Sequence, residues 1–146
     1  MEILPSIIAT RQKAREIALQ VLYQKDVSRE PLEIVWKDFC KHYQPPTEAL
    51  DYAWQLVQGV TEYQTYIDLL IEKYALHWRL ERISLIERNI LRLAIYEMFH
   101  IPDVPPKVSI NEAIELAKMY GSETSSTFVN GILDAVFHKE FEKQNS

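Results

Sequence analysis

The sequence predicts an all-α fold, and three observations predict it. Apolar residues recur at helical spacing along nearly the whole chain. Only three of the 146 residues are glycine, too few for the turns of a many-stranded sheet. Ser, Thr and Pro stand where the apolar stripes begin and break. No alternating strand pattern competes. The expected architecture is a compact bundle of about seven helices forming one domain over residues 1–146, in two packed helical halves of about 10–76 and 77–140.

Taken in order, Ala14, Ile17, Ala18, Val21 and Leu22 lie on one stripe of a first helix from Arg11 to Asp26, with Thr10 as its cap. Pro31 suits the first position of a second helix carrying Leu32, Val35, Trp36 and Phe39, which ends before Pro45 and Pro46. Thr47 caps a long third helix that runs to about Tyr74. Gly59 in its middle costs about 1 kcal/mol relative to alanine, so it is expected to admit a close neighbour or permit a bend. Trp78, Leu80 and Ile83 carry the apolar pattern through a short turn. Ser84 and Glu87 form a capping box for a helix that is apolar over more than one stripe and so is expected at the centre. Ser109 and Glu112 read as a second capping box, starting a helix that stops at Gly121, where a positive φ is expected. A polar loop, Ser122 to Ser126, delivers Phe128, Val129, Asn130 and Gly131 to a last helix. Asn130 and Gly131 are poor helix formers, which points to a contact needing a small or polar group there. The charged tail from Lys139 to Ser146 is expected to fray.

Composition narrows the function. The single cysteine, Cys40, cannot pair within the chain, and its close companion His42 is a weak base for nucleophilic chemistry, so an inert thiol in a reducing cytoplasm is expected. No window approaches the length of a membrane span, and the charges of MEILPSIIATRQK follow its apolar patch, the wrong order for a signal peptide. The net charge of −5 gives no sign of nucleic-acid binding as a whole. Its distribution does: residues 1–25 carry net +2, which leaves −7 on the remainder.

Chemistry-bearing motifs are few. Glu97 and His100 have the Glu-x-x-His spacing of di-iron bundles, but a second copy is missing. His42, His77 and His138 are scattered without ligand spacing, and no phosphate-cradling glycine loop or nucleophile elbow is present. No catalytic residue, metal site or cofactor is expected. Arg11 and Arg15, four apart, share a helix face with Lys13 offset, and guanidinium groups pair with phosphates or stack on bases. Phe128 opens the last helix beside a polar loop, where its ring is either core or a stacking surface for an unpaired base.

Val108, INEAIELAK from Ile110 to Lys118, Tyr120, Gly121 and FVNG from Phe128 to Gly131 resemble the C-terminal signature of the NusB family of bacterial transcription antitermination factors. The likeness extends through AREIALQVLYQ from Ala14 and ERNILRLAIYE from Glu87. The resemblance implies an all-helical, non-catalytic RNA-binding protein that binds the boxA element of nascent ribosomal RNA. It implies NusE, a ribosomal small-subunit protein, as partner within the RNA polymerase antitermination complex. On that basis Arg11, Lys13, Arg15 and Phe128 form one RNA surface, and Tyr23 and Glu87 belong to the NusE-facing surface. The alternative is an acidic adaptor for NusE with incidental RNA binding. Gln12 interrupts the family's basic segment, which implies low RNA affinity without the partner, and Thr124 stands where some relatives are acidic. Monomer and homodimer are both open. If Arg15 contacts RNA, Arg15→Ala lowers affinity and flattens its salt dependence; if it is structural, the same change lowers thermal stability.

Overall fold

The computed structural model describes residues 3–76 and 78–145. Six helices of twelve or more residues appear there: α1 (Ile3–Ser28), α2 (Leu32–Tyr43), α3 (Thr47–Tyr74), α4 (Leu85–His100), α5 (Pro106–Tyr120) and α6 (Ser125–Val136). A 3-10 turn at Leu80–Arg82 precedes α4, and a π turn, Phe137–Phe141, joins α6 to a short terminal α7, Glu142–Gln144. The all-α expectation holds; six helices stand among the described residues where about seven were expected, α7 being a single terminal turn.

Helix α4 is the hub. Residues Asn89 to Met98 are all buried, so both flanks and the back of the helix are covered, as its apolar surround predicts. Helices α1, α3, α5 and α6 all pack against it, with α1 paired to α3 and α5 to α6. Contacts fix the directions: Arg15 and Tyr52 meet Glu97, whereas Asp26 and Asp68 meet Arg92. Low numbers on α1 and α3 thus face the C-terminal end of α4, so both run antiparallel to it and parallel to each other.

Gly59 does admit a close neighbour. A Cβ there would stand 2.0 Å from Cζ of Tyr96 and 2.4 Å from its hydroxyl, on a ring only 8% exposed and stacked on His100 at 4.8 Å. Gly59→Ala is therefore expected to cost about 1–3 kcal/mol by overpacking, against a gain of about 1 kcal/mol in helix propensity. A urea titration of Gly59→Ala alone and combined with Tyr96→Leu checks this, because the double variant restores the space.

Several local expectations are corrected. Helix α1 begins seven residues before Thr10; Pro5 sits in its first turn, where amides have no intrahelical partner, so it does not stop the helix. Thr47 is the first residue of α3 rather than its cap, which is Pro46. Ser109 does not start α5: Pro106 does, its fixed φ suited to a first position, and Ser109 is buried inside the helix. Gly121 has φ −97°, so no left-handed turn requires it. What requires it is space, since a Cβ would lie 2.5 Å from Oγ of Ser125. Gly131 faces open space, so no internal contact demands a small residue there. The tail is helical through Gln144, held where Glu140 accepts hydrogen bonds from Lys73 at 2.8 Å and from the Tyr74 hydroxyl; Ser146 lies outside the described residues.

Candidate functional site

The basic segment of α1 folds onto the C-terminal end of α4. Arg15 is buried, and its Nε donates to both carboxylate oxygens of Glu97, at 3.2 and 2.9 Å. Glu97, 2% exposed, also accepts from the Ser109 hydroxyl at 2.7 Å and from the Tyr52 hydroxyl. Burial first, then the Glu97 charge, pushes the Tyr52 phenol far above its ordinary pKa, so Tyr52 remains a hydrogen-bond donor at any physiological pH. Ser109, taken for a cap, is thus a donor to a buried carboxylate. Glu112, its supposed capping partner, accepts instead from Gln12 at 3.1 Å and lies 3.7 Å from Nη1 of Arg15. Arg11 pairs with Asp103 at 2.9 Å and lies over the Tyr52 ring at 4.6 Å. Of the three cations singled out, Lys13 is exposed, and Arg15 belongs to the interior.

Phe128 lies elsewhere. Its half-buried ring packs against the core and lines a cleft of about 480 Å³ with Trp78, Arg82, Ile83, Glu87, Glu123, Thr124 and Thr127. Glu87 at this cleft and Glu97 beside Arg15 are ten residues apart on α4, about 15 Å at 1.5 Å per residue. The arginines therefore sit toward the C-terminal end of α4 and the Phe128 ring toward its N-terminal end.

The loop before Phe128 is built on Glu87. Ser84 Oγ accepts from the Glu87 amide at 3.1 Å, as a cap should, and its hydroxyl donates to Glu87 Oε1 at 3.0 Å. The other carboxylate oxygen accepts from Ser125 Oγ at 2.7 Å, and Ser125 Oγ accepts from the Ser122 amide at 2.9 Å. Glu87 and the loop before Phe128 are hence one hydrogen-bonded chain. Sequence reasoning missed Trp78, which is 53% exposed, and Arg82. The signal was a tryptophan within four residues of charged Arg79, Glu81 and Arg82, read only as apolar pattern.

Tyr23 lines a second cleft, of about 520 Å³, between α1 and α2, next to Ile86. Cys40 is ordinary, its thiol pKa raised by burial, and the His42 ring N–H donates to the Asp38 carbonyl at 2.8 Å rather than engaging sulfur. His100 stacks on Tyr63 at 4.3 Å and on Tyr96, and burial lowers its pKa. Glu97 is committed to Arg15, Tyr52 and Ser109, so the Glu-x-x-His pair does not converge on one point. Among the described residues no group of three or more metal-ligating side chains occurs, and no helix is long and apolar enough to cross a membrane. His77 lies outside those residues.

Comparison with known proteins places this geometry in context. The transcription antitermination protein NusB of Myxococcus xanthus is 46% identical over 133 residues, covering 88% of this chain and 95% of the relative. The solved structure of T. maritima NusB superposes with a TM-score of 0.82 at 37% identity, covering 93% of this chain and 97% of that one. A complex of the antitermination factors NusB and NusE with dsRNA contains a chain that superposes at 0.80 with 30% identity, covering 89% and 97%. The family model for the NusB family matches residues 12–138, and the chain therefore belongs to the NusB family of transcription antitermination proteins.

Proposed function

We propose that this protein binds the boxA element of nascent ribosomal RNA together with NusE and so promotes processive elongation by RNA polymerase. Family membership supports the reading, and so does the NusB–NusE–dsRNA complex formed by a relative. The observation that carries it is the cleft shared by Phe128, Trp78 and Arg82. Two aromatic rings and a guanidinium at a surface, beside a short polar loop, form a stacking platform for unpaired bases. Gly131, one turn after Phe128 and Thr127, leaves open space on the same side of α6, which lets a backbone approach.

Stacking on an aromatic side chain is worth about 1–3 kcal/mol per base, so Trp78→Ala is expected to weaken boxA binding roughly 5- to 150-fold. Phe128→Ala should act in the same direction with an added loss of stability from its core contacts. Fluorescence titrations of boxA and scrambled RNA, with and without NusE, check this. Equal weak binding of both RNAs, unaffected by Trp78→Ala, overturns the reading. Gly131→Ala supplies a complementary test: on an exposed helical position it should raise stability by up to about 1 kcal/mol while lowering RNA affinity.

The adaptor reading has one observation in its favour, because Arg11 and Arg15 are both engaged with carboxylates. It predicts that boxA RNA adds nothing to NusE affinity, which the same titrations measure.

A further inference from the structure

The cleft at Tyr23 has a chemical character of its own. Tyr23 and Tyr43 leave 38% and 70% of their surface exposed. On the α2 wall, Phe39 and Tyr43 stack at 4.8 Å and 27°, forming one aromatic face. Tyr120 faces in from the end of α5, steadied where its hydroxyl donates to Glu16 at 3.1 Å. Glu30 and Asp38 also line the cleft, and none of its lining residues is Lys or Arg. The volume of 520 Å³ lies within the range of about 300–1,000 Å³ typical of ligand-holding pockets.

Each possible occupant can be tested against that lining. A phosphate or other anion meets two carboxylates and the negative faces of three tyrosines. A purely apolar group would desolvate those carboxylates with nothing in return. A cation gains from both, because ring faces and carboxylates attract it together. Guanidinium fits better than ammonium: it is planar, stacks on tyrosine, forks onto a carboxylate and gives up its hydration more readily. We propose that this cleft is the receptor for an arginine side chain of the protein partner, NusE. The proposal rests on the partner reading above and gives Tyr23 a defined task on that surface, as one ring of a cage.

Arginine amide, lysine amide and the neutral isostere citrulline amide are the probes, titrated into the isotopically labelled full chain and followed by amide NMR shifts. Arginine amide should shift the amides of Tyr23, Asp38 and Tyr43, with citrulline amide at least about five-fold weaker. The effect should vanish in Glu30→Gln/Asp38→Asn. Both carboxylates are exposed, so this variant should melt with the parent. Shifts that are equal for citrulline, that fall elsewhere or that survive in the double variant overturn the proposal. NusE binding separates the two claims. The double variant should bind NusE about ten-fold more weakly. If both proteins bind NusE equally well, the cage is wrong and the partner reading stands. If the parent fails to bind NusE yet seats arginine amide in a charge-dependent way, the partner reading fails and the arginine receptor stands.

Discussion

Arg15→Ala is expected to lower unfolding free energy by about 3–5 kcal/mol, the usual consequence of stranding one member of a buried ion pair. For a chain of this size that is a fall of roughly 10–15 °C in melting temperature. The reason is what remains: Glu97, 2% exposed, would keep the hydroxyls of Tyr52 and Ser109 but lose the cation that neutralises it. Arg11→Ala provides the contrast, because its partner Asp103 is 66% exposed and such surface pairs contribute about 0–1 kcal/mol. Urea denaturation of the two variants, with RNA binding measured where both remain folded, distinguishes the roles. A stable Arg15→Ala protein with a reduced salt slope for RNA would restore Arg15 to the nucleic-acid surface.

The second large effect belongs to Arg92. Its Nε and Nη2 fork onto Asp68 at 2.8 and 3.0 Å, while Nη1 reaches Asp26 at 2.9 Å and Asn89 at 3.0 Å. Burial works against its charge, and the hydrogen bonds and charges of Asp68 and Asp26 outweigh that, leaving its pKa raised. Arg92→Ala should cost about 3 kcal/mol, moderated because the two aspartates retain 18% and 17% of their side-chain exposure and can take up water. Arg92→Lys should recover only part of the loss, since an ammonium cannot make two parallel bonds to one carboxylate. Double-mutant cycles in urea should give a larger coupling for Arg92 with Asp68 than with Asp26. Equal couplings would mean that the fork has no energetic weight.

Features governed by local chemistry were legible in the sequence. The stripe of α1, the prolines ending α2 and the Ser84–Glu87 cap all follow from residues within a turn or two of one another. Ser109 shows where that reasoning stops. Its spacing to Glu112 satisfies a capping box, yet Glu97, twelve residues away, is the acceptor it serves. Arg15 failed for the same reason, since its partner is 82 residues distant and a buried cation looks in sequence like an exposed one. The cleft was half legible: Phe128 was singled out and does line it, whereas Glu87 had been set on a separate surface and the exposed ring of Trp78 absorbed into an apolar stripe.

The ion pairs at α4 also impose an order in time. Asp26 precedes Arg92 by 66 residues and Arg15 precedes Glu97 by 82, so during synthesis α1 leaves the ribosome long before either counter-charge exists. Until α4 emerges, Arg15 and the carboxylates of Asp26 and Asp68 stay hydrated, and the apolar faces of α1 and α3 lack the helix that covers them. Docking of α4 must then strip water from all of these charges at once. Helices α1 and α3 can pair with each other before that point, but their buried charges are matched only when residues 85–100 arrive.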